Sequence, residues 1–504
     1  MDIILQAIGT IADPVCLSIL FIGVLFGTVI GALPGLGSIL ALTVCLPMTL
    51  ALDSASAFGL LLGTYCGAIY GGSIASILIN VPGTPQSAAT NLDGYPMAQR
   101  GMAGEALGWA TTASCMGGII SCIILIIAAS WLAKMSTIYG GPIEICALIC
   151  MGLACIATLS EGNQLKGLMM GIFGLFLSTI GMDPVSSEMR FTFGSRGLSS
   201  GIDLLPFIVG LFPLSEVFFR TYQIFTQPAF TTVQCKKMIL PSLKQWKSRF
   251  FGMVRSAIIG TAIGILPGTG AAPAAFISYS VARGSSKNGN NFGQGEPDGI
   301  IAAETANNAV TGGAMVPTLA LGIPGDAETS LMLAALTIHQ ITPGVRLMAD
   351  NPVMVYCIFI LLICANLLMI PAGMLTVRSF GKLLKIPNAV LLGMIILSAM
   401  IGSFITRNNF FDLWAALIIG VVAFGFRLGK FPLAPALIGY ILGPQLEYRY
   451  SQVVIYREGT PWPQYLMDHP LALVLFIIVA FLLIKPLVHS FRMWREGKTA
   501  SQIF

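Results

Sequence analysis

The 504-residue chain is 55% hydrophobic and only 10% charged, with a mean hydropathy of +0.83. Soluble domains carry roughly 25% charged residues, so a soluble enzyme or soluble binding module is excluded. The net charge of +5 comes from a few Lys and Arg clusters beside apolar runs, a membrane pattern that needs no nucleic acid to explain it.

The chain starts MDIILQAIGT, without a basic n-region or an A-x-A cleavage site, and this stretch reads as part of the mature protein. Asp2 and Asp13, with no Lys or Arg near them, fit an N-terminus outside the cytoplasm. Apolar runs follow near 14–31, 36–52, 54–80, 104–133, 137–159, 165–181 and 201–219. They resume near 254–282, 300–323, 327–345, 352–377, 386–405, 410–426, 431–446 and 470–490. Several exceed the ~20 residues that span a bilayer, and others are too short or too glycine-rich. The pattern predicts an all-α polytopic integral membrane protein of roughly 10–13 transmembrane helices plus re-entrant or broken helices. The alternating ten-residue strands of a membrane β-barrel are not visible.

The clearest boundary is residues 220–255, a stretch rich in Lys236, Lys237, Lys244, Lys247 and Arg249 that reads as a cytoplasmic connecting loop. It separates a first membrane repeat, 1–219, from the core of a second, 256–385; further transmembrane helices and a basic cytoplasmic tail fill 386–504. GALPGLG at 31–37 matches GILPGTG at 264–270, an offset of 233, and GGSIASILINVPGTPQ at 71–86 matches GGAMVPTLALGIPGDAE at 312–328, an offset of 242. Two different motifs in one order at nearly one offset mark an internal repeat. Counting three crossings back from the basic loop places Lys134 outside, while its repeat partner near 376 lies beside the inside cluster Arg378, Lys382 and Lys385. The two structural repeats are therefore expected to be inverted, an arrangement typical of secondary transporters.

Each half holds two Pro-Gly breaks, at 34–37 and 82–85, then at 267–270 and 324–328. A break at membrane depth is tolerable only where the freed backbone groups line a cavity or face a ligand. The restarting helix presents unpaired N–H groups and partial positive charge, a seat for a carboxylate; the preceding half-helix offers carbonyls to a cation. The candidate substrate residues are Pro34, Gly35, Leu36, Gly37, Pro82, Gly83, Thr84, Pro267, Gly268, Thr269, Gly270, Pro324 and Gly325. The competing reading of any single break is a kink or a close helix contact.

Between the later breaks, Glu304, Asn307, Asn308 and Thr311 recur at helical spacing and can share one face. Asn307 and Asn308 join the substrate candidates, and Asn307, Thr311, Asp326 and Glu328 are candidates for a coupling ion such as Na⁺. Asp326 reads equally well as a plain helix N-cap. The loop-like Glu296 and Asp298 just upstream offer Glu304 an alternative place near the membrane surface. The 11 cysteines form no CxxC pair, the three histidines no metal-ligating spacing, and no Walker A pattern occurs, so neither a cofactor nor ATP hydrolysis is indicated.

At GALPGLG, YGGSIASILINVPGTP with DGYPMAQRG, GILPGTG, EPDGIIAAETANNAVTGGAMVPTLALGIPGD and ITPGVRLM, the chain resembles the large membrane subunit of the bacterial tripartite tricarboxylate transporters. The resemblance covers nearly the whole chain. It implies a multi-pass protein of the bacterial cytoplasmic (inner) membrane, N-terminus periplasmic and C-terminus cytoplasmic, that is not an enzyme. It further implies a periplasmic solute-binding protein, a small membrane subunit of about four spans, and import of citrate-like di- or tricarboxylates by Na⁺ or H⁺ symport. Aromatic or other organic acids are the alternative cargo. From another class, a polytopic membrane enzyme would need paired acids or a nucleophile and base at membrane depth. A passive channel is disfavoured by the paired breaks.

Overall fold

The fold is that of a computed structural model, which describes residues 2–139, 141–158, 164–183, 185–223, 233, 235, 237–268, 270–344 and 346–495. Ten helices build and position the centre. In the first half these are α1 (Pro14–Ala32), α2 (Gly37–Cys45), α3 (Ser54–Ile79), α4 (Ala88–Met97) and α5 (Ala103–Tyr139). In the second they are α6 (Leu243–Ile265), α7 (Ala271–Ser285), α8 (Pro297–Leu321), α9 (Ala327–Ile338) and α10 (Pro352–Leu383). The described strand content is one two-residue pair, Gly181–Met182 against Met189–Arg190. The protein is an all-α polytopic membrane protein.

Apolar surface has no reason to separate from lipid tails, so membrane helices associate where small side chains let backbones approach. Gly23, Gly27 and Gly31 of α1 lie four residues apart and press against Leu60, Thr64 and Ala68 of α3. Gly63, Gly67 and Gly71 of α3 return the contact to Leu20, Val24 and Thr28. A methyl group at any of these glycines would run into the facing helix backbone. In the second half Gly260 and Gly264 of α6 meet Ala306 and Val310 of α8, and Gly313 of α8 meets Thr261. Shifted by the offsets of the sequence motifs, Gly27 and Gly31 fall on Gly260 and Gly264, and Gly71 falls on Gly313. Three of the six seam glycines of the first half thus have a glycine counterpart on the seam of the second.

Helices α3 and α8 form the centre and are buried along essentially their whole length. Six described helices are long and apolar enough to cross a membrane, or seven if the bent pair Trp462–Asp468 and Pro470–Ile484 is one span. The expected 10–13 crossings also counted shorter and more polar helices. Helix α8 is one of these: at 25 residues it is long enough, yet it falls outside the apolar set. Its burial explains this, because a helix that meets only protein has no need of an apolar surface.

Residues 220–255 do more than connect. Arg220 belongs to the helix Ser215–Gln223, and α6 has already begun at Leu243. Between them, the Val233 N–H donates to the Leu78 carbonyl at 2.8 Å and the Ile239 N–H to Gly104 at 2.9 Å. The connector is thus tied back onto the ends of α3 and α5. Lys236 lies outside the described residues.

Candidate functional site

All four predicted breaks interrupt helices in the structure. Helix α1 ends at Ala32 and α2 begins at Gly37, with Gly35 at φ +74° and Gly37 at φ +73°. These left-handed values are open to glycine and strained for other residues. Helix α3 ends on Asn80 at φ 60°, leading through Pro82 and Gly83 to Thr84 and the turn Pro85–Ser87. Helix α6 ends at Ile265, and Pro267, Gly268 and Gly270 precede α7; Thr269 lies outside the described residues. Helix α8 ends on Gly322 at φ 72°, and Pro324, Gly325 and Asp326 lead into α9.

The breaks converge. Gly83 sits directly under the Gly31 carbonyl at the end of α1. Ser38, at the start of α2, donates its hydroxyl to Glu328 at 2.5 Å. The Gly268 N–H donates to the Gly325 carbonyl at 2.7 Å. These contacts link the second break to the first, the first to the fourth, and the fourth to the third.

Polar side chains at the junction fall into two groups. Asp326 is fully engaged. It caps α9 by accepting the Thr329 N–H at 2.7 Å and the Thr329 hydroxyl at 2.8 Å, and it accepts the Tyr65 hydroxyl at 2.7 Å. The capping role is therefore present, with a tyrosine from the other half added to it. By contrast, Asn307 is wholly buried with both amide atoms lacking a hydrogen-bond partner. The Thr84 hydroxyl and the Asn308 side-chain carbonyl oxygen are buried and unpartnered too. Thr311 donates its hydroxyl to the Asn308 backbone carbonyl at 2.7 Å. Buried polar groups are nearly always paired, so these unpartnered atoms, like those of Ser73 and Thr305, are places where a bonding partner could be received.

Of the two places the sequence left open to Glu304, the structure gives the interior one: its side chain is wholly buried on α8. It accepts hydroxyls from Thr90 and from Ser114, the latter at 2.9 Å, and the Asn308 amide donates to Ser114 at 2.8 Å. Among the described residues no ion pair reaches Glu304.

Two contributors escaped the sequence reading. Asp93 of α4 accepts three backbone N–H groups, from Gly293, Gly295 and Glu296, and the Tyr279 hydroxyl, all at 2.8 Å. It clasps the first half onto the second. Arg220 donates to the Pro34 carbonyl at 3.2 Å while pairing with Glu216 at 2.6 Å, and Glu216 also pairs with Arg427. Two guanidiniums on one carboxylate leave net positive charge beside the first break. A signal for Asp93 existed in the DGYP turn chemistry. Arg220 read only as the edge of a basic loop.

A cavity of about 470 Å³ opens elsewhere, among Ile143, Cys146, Leu175, Tyr450 and Trp462, and no residue of the breaks lines it. Among the described residues no group of three His, Cys, Asp or Glu could hold a metal ion.

Residues 17–438 match the model of the tripartite tricarboxylate transporter TctA family. The chain belongs to that family. It is also 35% identical over 490 residues to an uncharacterized 52.8 kDa protein in the TAR-I ttuC′ 3′ region of Agrobacterium vitis, covering 97% of this chain and 96% of the relative. A second Agrobacterium vitis protein, from the TAR-II ttuC′ 3′ region, is 35% identical over 201 residues, covering 40% of this chain and 83% of the relative. No solved structure matches the TctA-family chain. Family membership makes it a transporter subunit, and its long apolar helices make it a multi-pass membrane protein.

Proposed function

We propose that this TctA-family chain is the subunit through which a di- or tricarboxylate, delivered by a periplasmic solute-binding protein, crosses the bacterial inner membrane. A small membrane subunit completes the assembly, and a Na⁺ or H⁺ gradient drives uptake. The observation that carries the proposal is the set of unpartnered polar groups at the second break and on α8, which packs against the turn after that break, above all both amide atoms of Asn307 and the Thr84 hydroxyl. A carboxylate accepts from amide and hydroxyl donors, and the restarted helices add backbone N–H groups.

Charge argues for coupling. Asp326 and Glu328 are buried at the fourth break, and Glu304 is buried on the helix that leads to it. A polyanion entering beside such carboxyl groups needs co-bound cations or protons before it meets a low-dielectric barrier. Asn307, Thr311, Asp326 and Glu328 supply oxygens for such a cation, and Glu304 adds a carboxyl that the hydroxyls of Thr90 and Ser114 hold in place.

Reciprocal packing supports a two-fold relation of the halves, which the inverted reading of the sequence requires. The segment after the first break of one half, α2, packs on α9, which follows the second break of the other. The segment α7 packs in the same way on α4 and on the turn before it. A two-fold axis between the halves produces this exchange.

The test is uptake of labelled citrate into proteoliposomes holding this chain, its small partner and its binding protein, under a Na⁺ gradient, a proton gradient or neither. Uptake that follows one gradient supports the proposal. If citrate stays out while an aromatic carboxylate held by the binding protein crosses, the mechanism stands with another cargo. Failure of every ligand of the binding protein under all three conditions rejects it.

A further inference from the structure

Away from the breaks, where α6, α7 and α8 meet, a second and polar cavity of about 160 Å³ is lined by Ser248, Arg249, Arg255, Ser256, Ser285 and Asp298 among others. Arg249 donates to Asp298 at 2.7 Å and lies over the Trp109 ring, so that charge is balanced and its guanidinium is held in place. Among the described residues Arg255 has no carboxylate partner. It donates to the Ser285 hydroxyl, and its Nε is buried with no partner. Ser256, beside it on the same wall, is wholly buried, and its hydroxyl also lacks a partner. Two guanidiniums, one carboxylate and unpartnered N–H and O–H donors form a small site of net positive charge, suited to a phosphate group.

The surroundings decide the source of the phosphate. On α6, Phe251 and Ile258 lie four residues before and three after Arg255, on the same face, and they are 84% and 53% exposed. Helix α6 is not among the six apolar spans, yet on the transport reading it leads into a break at membrane depth, and its exposed Phe251 and Ile258 offer acyl chains a surface beside Arg255. Depth agrees, given the reading that the breaks lie near the middle of the bilayer. Eleven residues separate Arg255 from the end of α6 at Leu266, its C-cap. At 1.5 Å per residue that is roughly 16 Å, close to half of a ~30 Å hydrocarbon core. Arg255 would therefore stand at the level of lipid headgroups.

We propose that this cavity binds the phosphate of an anionic glycerophospholipid, with Arg255 and Ser256 as donors and the acyl chains lying along Phe251 and Ile258. The volume admits a phosphodiester and its first carbons, which leaves the chains outside.

The test is native mass spectrometry of the full-length chain in detergent, with phosphatidylglycerol or phosphatidylcholine added in equal amounts. The wild type is expected to keep phosphatidylglycerol in preference. Arg255→Gln should lower its retention about tenfold, the loss of one charge-assisted bond. Ser256→Ala, which removes a hydroxyl that bonds to nothing in the protein, should lower it by a smaller factor and keeps the test open if the arginine variant fails to fold. Equal retention of the two lipids, or unchanged retention in both variants, overturns the proposal. Displacement of the lipid by millimolar inorganic phosphate also overturns it, in favour of a soluble-anion site. None of these readouts involves uptake, so failure here and failure of the transport reading are separable.

Discussion

At the later of the two corresponding Pro-Gly steps, Asp326 has three side-chain hydrogen bonds, one of them from Tyr65 in the opposite half. At the earlier step Thr84 has none on its hydroxyl. The residues correspond pair by pair, since Thr84 precedes Asp326 by 242 positions and Tyr65 precedes Asn307 by the same 242. One pairing is a closed hydrogen bond. Its counterpart is two orphans, although α8 packs against the turn that follows Thr84. Each pairing takes one residue from either half, so the two corresponding places differ: one is closed by a hydrogen bond, and the other holds the unpaired groups to which the proposed function assigns the solute.

This difference is open to attack by substitution. The largest effect is expected for Asp326→Ala, which removes the α9 cap and strands the Tyr65 hydroxyl in the interior. It should destabilise the protein by about 2–4 kcal/mol, read as a lowered melting midpoint in detergent. Asn307→Ala should leave that midpoint unchanged or raised, because it removes a buried group with no partner, yet reduce carboxylate uptake by about tenfold to 100-fold. A large drop in stability for this variant would show that Asn307 is structural and would break the comparison. Thr84→Asp places an acid where the later step already has one; it should weaken anionic substrate binding by about tenfold with little change in expression. Unchanged uptake would remove the earlier step from the anion path. The smallest effect is that of Tyr65→Phe, at about 1 kcal/mol by thermal denaturation, since Thr329 still satisfies Asp326.

The sequence carried much of this architecture because the features that matter locally leave local marks. Pro-Gly pairs inside apolar runs gave all four breaks, and the place of Asp326 at the restart of a helix marked its capping role. What was hidden depended on partners far along the chain. The donors that bind Asp93 lie 186 to 203 residues away, and Arg220 reaches a carbonyl 186 residues before it. The burial of Glu304 was left open for a different reason. Hydropathy reports how polar a segment is and says nothing about what surrounds it, so a polar helix enclosed by α5, α6 and α7 looks the same as one emerging into water. The sequence put Asn307 and Thr84 forward as substrate candidates, but that their side chains lack partners is something no linear pattern displays.

The complete burial of α8 has a consequence for biogenesis. A helix carrying Glu304, Asn307 and Asn308 partitions poorly into lipid by itself, since each such side chain opposes insertion at the bilayer centre. The nascent second half therefore needs the first as a receptacle: Ser114 of α5 and Thr90 of α4 must already be in place to receive Glu304. Synthesis order meets that need, with the apolar, self-sufficient α1–α3 pair leaving the ribosome first. Residues 237–504 expressed without their partner should fail to integrate, and co-expression of residues 1–236 should rescue them.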